Sequence, residues 1–425
     1  MSRKLRVLLI AEAANPDWVS VPLIGWSLFE AIAKLTDAHL VTHIRNREAV
    51  SRAGLIEGRD FTAIDNEKLA GPLWKLASLL RGGDGKGWTT VSAFSAFAYP
   101  SFERELWRLL GKRIAAGEFE LVHRITPLSP THQSPIAKTL QGHRVPFVIG
   151  PLNGGVPWPP HFAHRRMAER DWLSHLRHLY KLLPHYRNTR RYSSAILAGS
   201  QFARDDLPSW AQSKTTLIPE NAIDLGRFPS IRTRSTALPL RGAFVGRLVS
   251  YKGADILLHA AAAFIRIGQL RLDIIGDGPE RPKLELLSQK LGVADNVKFH
   301  GWLPHRAVND VLSTTDFLAL PSIREFGGGV VIEAMALGVA PIVADYAGPG
   351  ELVGEGTGIR VSFHDEASLT AGFRNALARI IETPPILDDI GRAAALHART
   401  YMTWEAKAAQ IVKIYNNLIS TQSLP

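Results

Sequence analysis

The most constraining feature of this sequence is residues 317–338, where an apolar run meets three glycines and then a helix-like segment. The run Phe317–Leu320 has the length of a buried strand, and the segment after the glycines has helical spacing. Gly327, Gly328 and Gly329 let backbone N–H groups approach an anion closely, and a helix N-terminus adds partial positive charge there. The stretch therefore predicts a phosphate-binding loop between a strand and a helix.

Two carboxylates bracket this loop. Glu325 precedes the glycines, and Glu333 falls in the first turn of a helix that we predict to begin at Val330. Carboxylates do not bind phosphate directly, but they accept paired hydrogen bonds from neighbouring hydroxyls of a sugar or a ribose. A solvated pair at a helix end is the alternative, and the strand and glycines beside it favour a sugar-nucleotide site instead.

Length and composition favour two or three α/β domains. The chain has 425 residues, 46% of them apolar, and helix-like segments alternate with short apolar runs. The absence of cysteine excludes disulfides, zinc–thiolate sites and thiol catalysis. Residues 1–10 lack the apolar stretch and cleavage site of a secretion signal, and no apolar run is long enough to span a membrane. We therefore expect a cytoplasmic protein.

The net charge of +11 is unevenly distributed. Residues 1–218 hold 29 Lys and Arg against 18 Asp and Glu, whereas the remainder holds 21 of each. A uniformly basic protein would indicate nucleic acid, but the neutral second half and the lack of a recognition motif argue against that partner. The basic half predicts an anionic acceptor or membrane surface, and charge kept only for solubility stays the alternative.

Residues 161–192 concentrate this basic character, with eight Arg or Lys, five His and two acids. Leucines at spacings of three and four interleave with them, which predicts a basic amphipathic helix. Such a helix can lie on anionic lipid, so peripheral attachment to the inner membrane face is one interpretation. A helix packed on the core with a basic outer face is the other.

Two cations follow the first strand of the second half. Arg247 and Lys252 lie five positions apart, after the predicted strand Gly242–Val245 and before a helix starting near Ala254. Arg in a fork and Lys as a point charge form charge-assisted hydrogen bonds with a diphosphate. Their position at a strand end predicts a diphosphate contact in place of ordinary solvation.

Further strand ends in the second half carry candidate binding residues. Gly276 and Gly278 form a tight turn after the predicted strand Leu272–Ile275, although the third glycine of a dinucleotide fingerprint is missing. Trp302 follows the predicted strand Val297–Phe299. Because strand ends in parallel sheets open into a binding crevice, we assign these residues to the donor side.

The first half offers fewer signals. His123 ends the predicted strand at residues 119–123, with His132 as the alternative, although a lone histidine at a strand end is more often structural. The loop GPLNGG, after a strand predicted at 146–149, predicts that Asn153 and Gly154 face a crevice, and a plain turn is the other interpretation.

Glu325 and Glu333, separated by seven residues and followed by AMALG, resemble the E-x7-E signature of family 4 of the retaining GT-B glycosyltransferases. GRLVSYKG at 246–253, the GDGP turn and the segment at 216–228 are similar to further motifs of that family. The resemblance implies the GT-B fold, in which two Rossmann-like domains face a central cleft and a C-terminal helix crosses back to the first domain.

The implied domains are an acceptor-binding domain at 1–218, a hinge at 219–240, a nucleotide-sugar-binding domain at 241–400, and a helix at 401–425 that returns to the first domain. The implied activity is retaining transfer of a sugar from a nucleoside-diphosphate sugar, without a cofactor. The acceptor is a glycan, a lipid-linked compound or another hydroxyl compound, and the setting is cell-surface or exopolysaccharide biosynthesis.

The resemblance also implies roles for single residues. Glu325 holds the donor sugar and Glu333 the ribose. His123 lies near the reacting sugar carbon, Gly25 remains of a glycine pair over the donor phosphates or the acceptor, and the strand end before Trp302 reads the base.

No Asp-x-Asp motif occurs in the chain, so we predict a metal-independent enzyme in which cationic side chains replace the metal. Two alternatives stay open: a non-catalytic protein that binds a nucleotide sugar or glycan, and a sugar-nucleotide epimerase of the same fold.

Overall fold

The structure is a computed structural model that describes residues 3–67, 88–168, 179–228, 231 and 238–422. The chain divides into two compact units. Unit 1 comprises Met1–Gly155, Arg170–Glu220 and Trp404–Pro425, and unit 2 comprises Val156–Glu169 and Asn221–Thr403.

Each unit is built on one parallel sheet. In the described ranges, unit 1 contains seven strands in the order β3-β2-β1-β4-β5-β6-β7, and unit 2 contains six in the order β10-β9-β8-β11-β12-β13. The strands are β1 (Arg6–Ala11), β2 (Asp37–His43), β3 (Phe61–Ile64), β4 (Leu121–Thr126), β5 (Phe147–Leu152), β6 (Ala195–Ala198), β7 (Thr215–Leu217), β8 (Leu240–Val245), β9 (Leu270–Ile275), β10 (Val297–Gly301), β11 (Phe317–Leu320), β12 (Ala340–Ala344) and β13 (Ile359–Val361). The predicted α/β class with two parallel sheets is confirmed.

Helices connect the strands, as parallel pairing requires. They are α1 (Val21–Leu35), α2 (Arg47–Arg52), α3 (Trp88–Ala115), α4 (Ile136–Gly142), α5 (Ala163–Ala168), α6 (Tyr186–Tyr192), α7 (Gln201–Asp205), α8 (Ser209–Gln212), α9 (Ala254–Arg266), α10 (Arg281–Lys290), α11 (His305–Leu312), α12 (Gly329–Ala336), α13 (Ala347–Leu352), α14 (Glu366–Glu382), α15 (Ile386–Tyr401) and α16 (Trp404–Gln422).

The central strands are apolar throughout because both faces of these sheets are covered. In unit 2, β11 lies between β8 and β12, and all four of its residues are fully buried. The glycine loop that follows β11 therefore starts from the centre of a rigid sheet.

The last helix completes the core of unit 1. Ala408, Ile411 and Tyr415 are three and four positions apart, so they share one face of α16. All three are fully buried in a cluster that also contains Trp26 and Phe29 of α1.

Two elements of unit 1 differ from the sequence prediction. Helix α1 begins at Val21, with Pro22 in its first turn, so Gly25, expected over the donor phosphates or the acceptor, lies inside this helix. Strand β4 continues to Thr126, whose hydroxyl accepts a hydrogen bond from the backbone N–H of Ala13 at 3.0 Å. His123 consequently lies within the strand and not at its end.

The predicted basic helix at 161–192 is not continuous in the structure. Helix α5 ends at Ala168 and α6 begins at Tyr186, after Pro184 and His185, which has a positive φ of 68°. Residues 169–178 lie outside the described part of the chain. Within the described part, no helix combines the length and apolar character needed to cross a bilayer.

The division into units also differs from the predicted domain boundaries. The prediction kept residues 1–218 together, whereas residues 156–169 belong to unit 2. Phe162 is fully buried in the core of unit 2, and the Arg165 side chain is 6% exposed between Asp255 and Glu366. Apolar burial and these ion pairs explain why the segment joins the second unit.

Candidate functional site

The predicted donor-side residues follow the strands of unit 2 at one edge of its sheet. Because β8, β9, β10 and β11 are parallel, the loops after all four strands leave from the same edge. In open α/β sheets this edge is where ligands bind.

Lys252 and Glu325 form an ion pair at this edge. Lys252 ends a short 3₁₀ helix, Ser250–Lys252, after β8, and its ammonium group is bonded to the Glu325 carboxylate in the loop after β11. Their side chains are only 15% and 20% exposed. Burial lowers the pKa of Lys252 to about 8. The sequence predicted both residues but not their direct contact.

The two loops that carry this ion pair are packed against each other through their backbones. Gly253 has φ +74°, and a Cβ at this position would lie 2.5 Å from the carbonyl oxygen of Pro321. The N–H of Ile323 donates to the carbonyl oxygen of Tyr251 at 3.0 Å. Glycine is required here because of both the left-handed conformation and the close approach.

Arg247 stands on a loop that contacts the glycine turn after β9. The N–H of Leu248 donates to the carbonyl oxygen of Asp277 at 2.9 Å. Side chains at Gly276 or Gly278 would overlap the carbonyl oxygens of Gly246 and Leu248, respectively. The close backbone contacts at these two glycines thus fix residues 246 and 248, which flank the exposed Arg247.

The glycine loop after β11 leads directly into α12. Gly328 caps this helix in a left-handed conformation (φ 57°, ψ 37°), and the helix begins at Gly329, one residue before the predicted start at Val330. A Cβ on Gly328 would lie 3.1 Å from Leu352 and 3.3 Å from Pro349. Helix α13 thus packs against the glycine loop at Gly328.

Glu333 lies in the second turn of α12, because that helix starts at Gly329. Burial raises the pKa of Glu333, while the positive charges of His305 and Arg227 lower it. Sequence reasoning gave no role to these two residues, although His305 begins α11 and Arg227 lies in the segment at 216–228 that was singled out.

Trp302 lies beside the glycine turn but is largely open to solvent. It follows Gly301, whose carbonyl oxygen accepts a hydrogen bond from the N–H of Gly276 at 2.8 Å. Its side chain is 71% exposed. The structure therefore brings Arg247, Lys252, Glu325 and the glycine turns into contacting loops, with Trp302 at their margin.

His123, predicted as a catalytic residue in unit 1, is a fully buried side chain. Its Nε2–H donates to the carbonyl oxygen of Gly150 at 2.7 Å, which leaves Nδ1 to accept from the Tyr415 hydroxyl at 2.5 Å. With both ring nitrogens bonded inside the core, the side chain presents no atom to a substrate in this arrangement. This placement favours a structural role, and His123 is not carried into the proposed function.

Asn153 and Gly154, both predicted to face a crevice, lie in different surroundings, because Asn153 is buried and Gly154 is partly exposed. Asn153 is 6% exposed, and its amide donates to the Glu220 carboxylate at 2.7 Å while its oxygen accepts from the Ser200 hydroxyl at 3.1 Å. Gly154 is partly exposed, with φ +126°. Asn153 thus ties the loop after β5 to Glu220.

Gly25 is a packing residue of α1 and does not lie in a loop. A side chain at this position would overlap the carbonyl oxygen of Ala13. Its absence lets the helix approach the segment after β1. The resemblance implied a place for Gly25 over the donor phosphates or the acceptor, whereas the structure places it inside a helix that begins at Val21.

Two buried histidines predict acid sensitivity. Burial lowers the pKa of His123 to about 4 and that of His132 to about 3, whereas burial raises the pKa of Glu103 to about 7. The unfolded chain therefore binds up to two more protons at the histidines below pH 6.5, and the folded chain binds one more at the glutamate above pH 4.5. Between pH 4.5 and 6.5 the unfolded chain therefore binds more protons in total than the folded chain, so the protein becomes less stable as pH falls.

These three groups are expected to lower the free energy of unfolding by up to about 1.4 kcal/mol per pH unit in this window as pH falls. His39 and His43, whose pKa values burial also lowers, act in the same direction. Urea unfolding between pH 5 and 6.5 measures the slope. Glu103→Gln removes the opposing group and is expected to steepen it, and an unchanged slope in that variant contradicts the assignment.

Comparison with solved structures defines the class of fold. Anabaena HepE, solved in complex with UDP, aligns with a TM-score of 0.63 at 17% identity, over 97% of this chain and 100% of that one. Sucrose-phosphate synthase from Thermosynechococcus elongatus aligns with a TM-score of 0.64 at 19% identity, over 98% and 100%. At these identities the likeness concerns the fold alone, which is GT-B.

A family model matches part of the second unit. Residues 241–395 match the model described as "Glycosyl transferases group 1". This range contains every predicted donor-side residue, from Arg247 to Glu333.

Curated relatives match over part of their length. D-inositol 3-phosphate glycosyltransferase from Corynebacterium glutamicum (strain R) is 32% identical over 45% of this chain and 47% of its own length. Alpha-D-kanosaminyltransferase from Streptomyces kanamyceticus is 27% identical over 55% of this chain and 62% of its own length. This chain thus covers about half to three-fifths of these two relatives.

Proposed function

We propose that this protein transfers a sugar from a nucleoside-diphosphate sugar to an acceptor hydroxyl, with the donor bound at the loop edge of unit 2. The observation that carries the proposal is the Lys252–Glu325 ion pair, which places a cation and a carboxylate side by side next to the N-terminus of α12. The Lys252 ammonium can bind the diphosphate of a donor, and the Glu325 carboxylate can accept hydrogen bonds from its sugar hydroxyls. The pair therefore offers one binding group to each half of a nucleoside-diphosphate sugar.

The chemistry follows from the charge that develops on the leaving group. The bond from the anomeric carbon to the diphosphate oxygen breaks as the acceptor hydroxyl oxygen forms the new bond. Negative charge builds up on the departing diphosphate, which takes up the proton released by the acceptor hydroxyl. In the proposal, Arg247, Lys252 and the N–H groups of the Gly327–Gly329 loop stabilise that charge. Because these donors stand on packed backbone, they are held in place before the reaction begins.

The carboxylates orient the rest of the donor. Glu325 accepts hydrogen bonds from the sugar hydroxyls and Glu333 from those of the ribose. Retention of the anomeric configuration and independence from metals are part of the proposal, the second because Arg247 and Lys252 supply two positive charges for the diphosphate. Solved neighbours contain UDP and UDP-glucose, which makes uridine donors the first to test.

The acceptor is proposed as a glycan, a lipid-linked compound or another hydroxyl compound of cell-surface biosynthesis. Contact of residues 161–192 with an anionic membrane surface stays a prediction. Leu182 of this segment is 81% exposed, which favours it, whereas Arg165 and Arg190 are buried and Lys181 is paired with Asp206, which leaves fewer basic groups for lipid.

The donor assignment is tested by thermal stabilisation. A panel of UDP-, GDP- and ADP-sugars is added to the native protein and to Glu333→Ala. At about 100 times the dissociation constant, a bound donor stabilises by about 2.7 kcal/mol, which raises Tm by roughly 5–10 °C. We expect Glu333→Ala to weaken binding about 10- to 100-fold through the lost ribose contacts.

Glu382→Ala, which removes an exposed carboxylate of the same unit, is the matched control and is expected to keep the full shift. A panel in which no sugar nucleotide shifts melting of the native protein contradicts the donor assignment. Product analysis then separates the alternatives: a non-catalytic binder releases no nucleoside diphosphate, and an epimerase changes the sugar without transferring it.

A further inference from the structure

A segment from the first half of the chain covers the loops that carry Lys252 and Glu325. This segment, residues 156–168, is called the strap here, and it contains the 3₁₀ helix Pro160–Phe162 and α5. Sequence analysis placed it in the first domain, and the structure places it in unit 2.

The strap is anchored at both ends. Near its start, the hydroxyl of Tyr346 donates to the carbonyl oxygen of Pro157 at 3.1 Å. Near its end, Arg165 donates to both carboxylate oxygens of Asp255 at 2.7 and 3.1 Å and pairs with Glu366 at 2.9 Å. Arg165 also donates to the carbonyl oxygen of Ser250, two residues before Lys252.

Between these anchors, Trp158 packs on the residue immediately before each member of the ion pair. Its ring meets that of Tyr251 edge-on, with centroids 6.0 Å apart. The guanidinium of Arg324 lies over the same indole, 5.1 Å from its centroid. One side chain therefore contacts both loops at the positions adjoining Lys252 and Glu325.

Arg324 links the strap to the glycine loop. Its Nε–H donates to the carbonyl oxygen of Val156 at 3.3 Å, and its guanidinium also lies 5.8 Å from the ring centroid of Phe326. Cation–π contacts in partly desolvated positions stabilise such an arrangement. Contacts of its two sequence neighbours, Arg324 and Phe326, thus fix the backbone at Glu325, and the Glu325 carboxylate takes no part in them.

We propose that Trp158 and Arg324 are positioning residues for the donor, which set the geometry of Lys252 and Glu325 through the loops that carry them. The inference rests on the proposed function. When a donor binds, the ammonium turns to the diphosphate and the carboxylate to the sugar, so their mutual ion pair no longer fixes the two loops. Trp158 keeps the loops in register in that state, because its contacts with Tyr251 and Arg324 do not involve the two charges.

The prolines of the strap suit this role. Pro157, Pro159 and Pro160 surround the tryptophan, and their fixed φ angles reduce the conformational freedom of the segment that presents it. A small misplacement of groups around a reacting atom lowers the rate strongly, so a rigid support is expected to affect turnover more than binding.

The test compares Trp158→Ala, Trp158→Phe and Arg324→Ala with the full-length native protein, and Trp210→Ala, which truncates a partly exposed tryptophan of unit 1, is the control. With a donor that stabilises the native protein, we expect Trp158→Ala and Arg324→Ala to lower kcat about 10- to 100-fold. The Tm shift caused by the nucleoside diphosphate alone is expected to persist. Trp158→Phe is expected to recover most of the turnover, because it restores a ring over Arg324.

Amide hydrogen exchange provides a measurement that needs no donor. Trp158→Ala is expected to speed exchange at residues 322–328, whereas Trp158→Phe and Trp210→Ala leave it near the native rate. Unchanged exchange and turnover in Trp158→Ala overturn the inference, and so does an equal loss of melting temperature, nucleotide binding and turnover. If the native protein binds no sugar nucleotide, the proposed function fails, and exchange still decides whether the strap orders the loops.

Discussion

Lys252→Ala is expected to lower kcat/KM about 100- to 1,000-fold with little change in folding. In the proposed reaction the Lys252 ammonium meets the negative charge that grows on the departing diphosphate, and a preorganised donor of this kind contributes roughly that factor to the rate. The stability effect is smaller, because Glu325 is 20% exposed and water can reach it once its partner is gone. Steady-state kinetics and thermal melting measure the two effects separately.

Lys290→Ala is the matched control for this variant, because Lys290 is an exposed lysine at the end of α10 in the same unit. It is expected to leave turnover and melting unchanged. A Lys252→Ala protein that loses melting temperature in proportion to its activity would show that the residue is a structural partner of Glu325 and nothing more.

Gly253→Ala is expected to destabilise the protein by about 2–5 kcal/mol. About 1–2 kcal/mol of this arises from the left-handed conformation, φ +74°, and about 1–3 kcal/mol from the overlap of the new methyl group with the Pro321 carbonyl oxygen. Turnover is expected to fall as well, because Lys252 is the preceding residue. Urea or thermal unfolding measures the change.

Gly268→Ala separates the two contributions. Gly268 has nearly the same φ, +75°, but a Cβ there meets no atom within 4 Å. This variant is expected to cost only about 1–2 kcal/mol, for the conformation alone. Equal losses in the two glycine variants would mean that the Gly253 and Pro321 backbones are not in the close contact described.

The second half of the chain was largely predictable from sequence. Short apolar runs fix where strands such as β8 and β11 end, and parallel pairing then brings the residues after them to one edge. Lys252 and Glu325 are 73 positions apart, yet strand pairing alone was enough to expect them near each other. The start of α12, the direct ion pair and the charges beside Glu333 needed coordinates.

The first half was less predictable because distant partners decide the environment of its polar residues. His123 is bonded to Tyr415, 292 positions later, and Asn153 to Glu220, 67 positions later. No local pattern reveals such partners. A histidine in a strand and an asparagine in a glycine loop look the same in sequence whether they meet a substrate or a core hydrogen bond.

The strap was not predicted, for a similar reason. Trp158 contacts Tyr251 and Arg324, and neither of these two residues carries a sequence signal of its own. The charge pattern also misled, since Arg165 counted as part of a basic surface and is enclosed by two carboxylates.

The place of α16 in the core of unit 1 has a consequence for biosynthesis. The first strand of that unit is made before any part of unit 2, but Ala408, Ile411 and Tyr415, which close its core, are translated some four hundred residues later. Unit 2 has all its residues once Thr403 has been added. The unit that is begun first is therefore completed second, and the nascent chain carries an open apolar surface around α1 until α16 has been made.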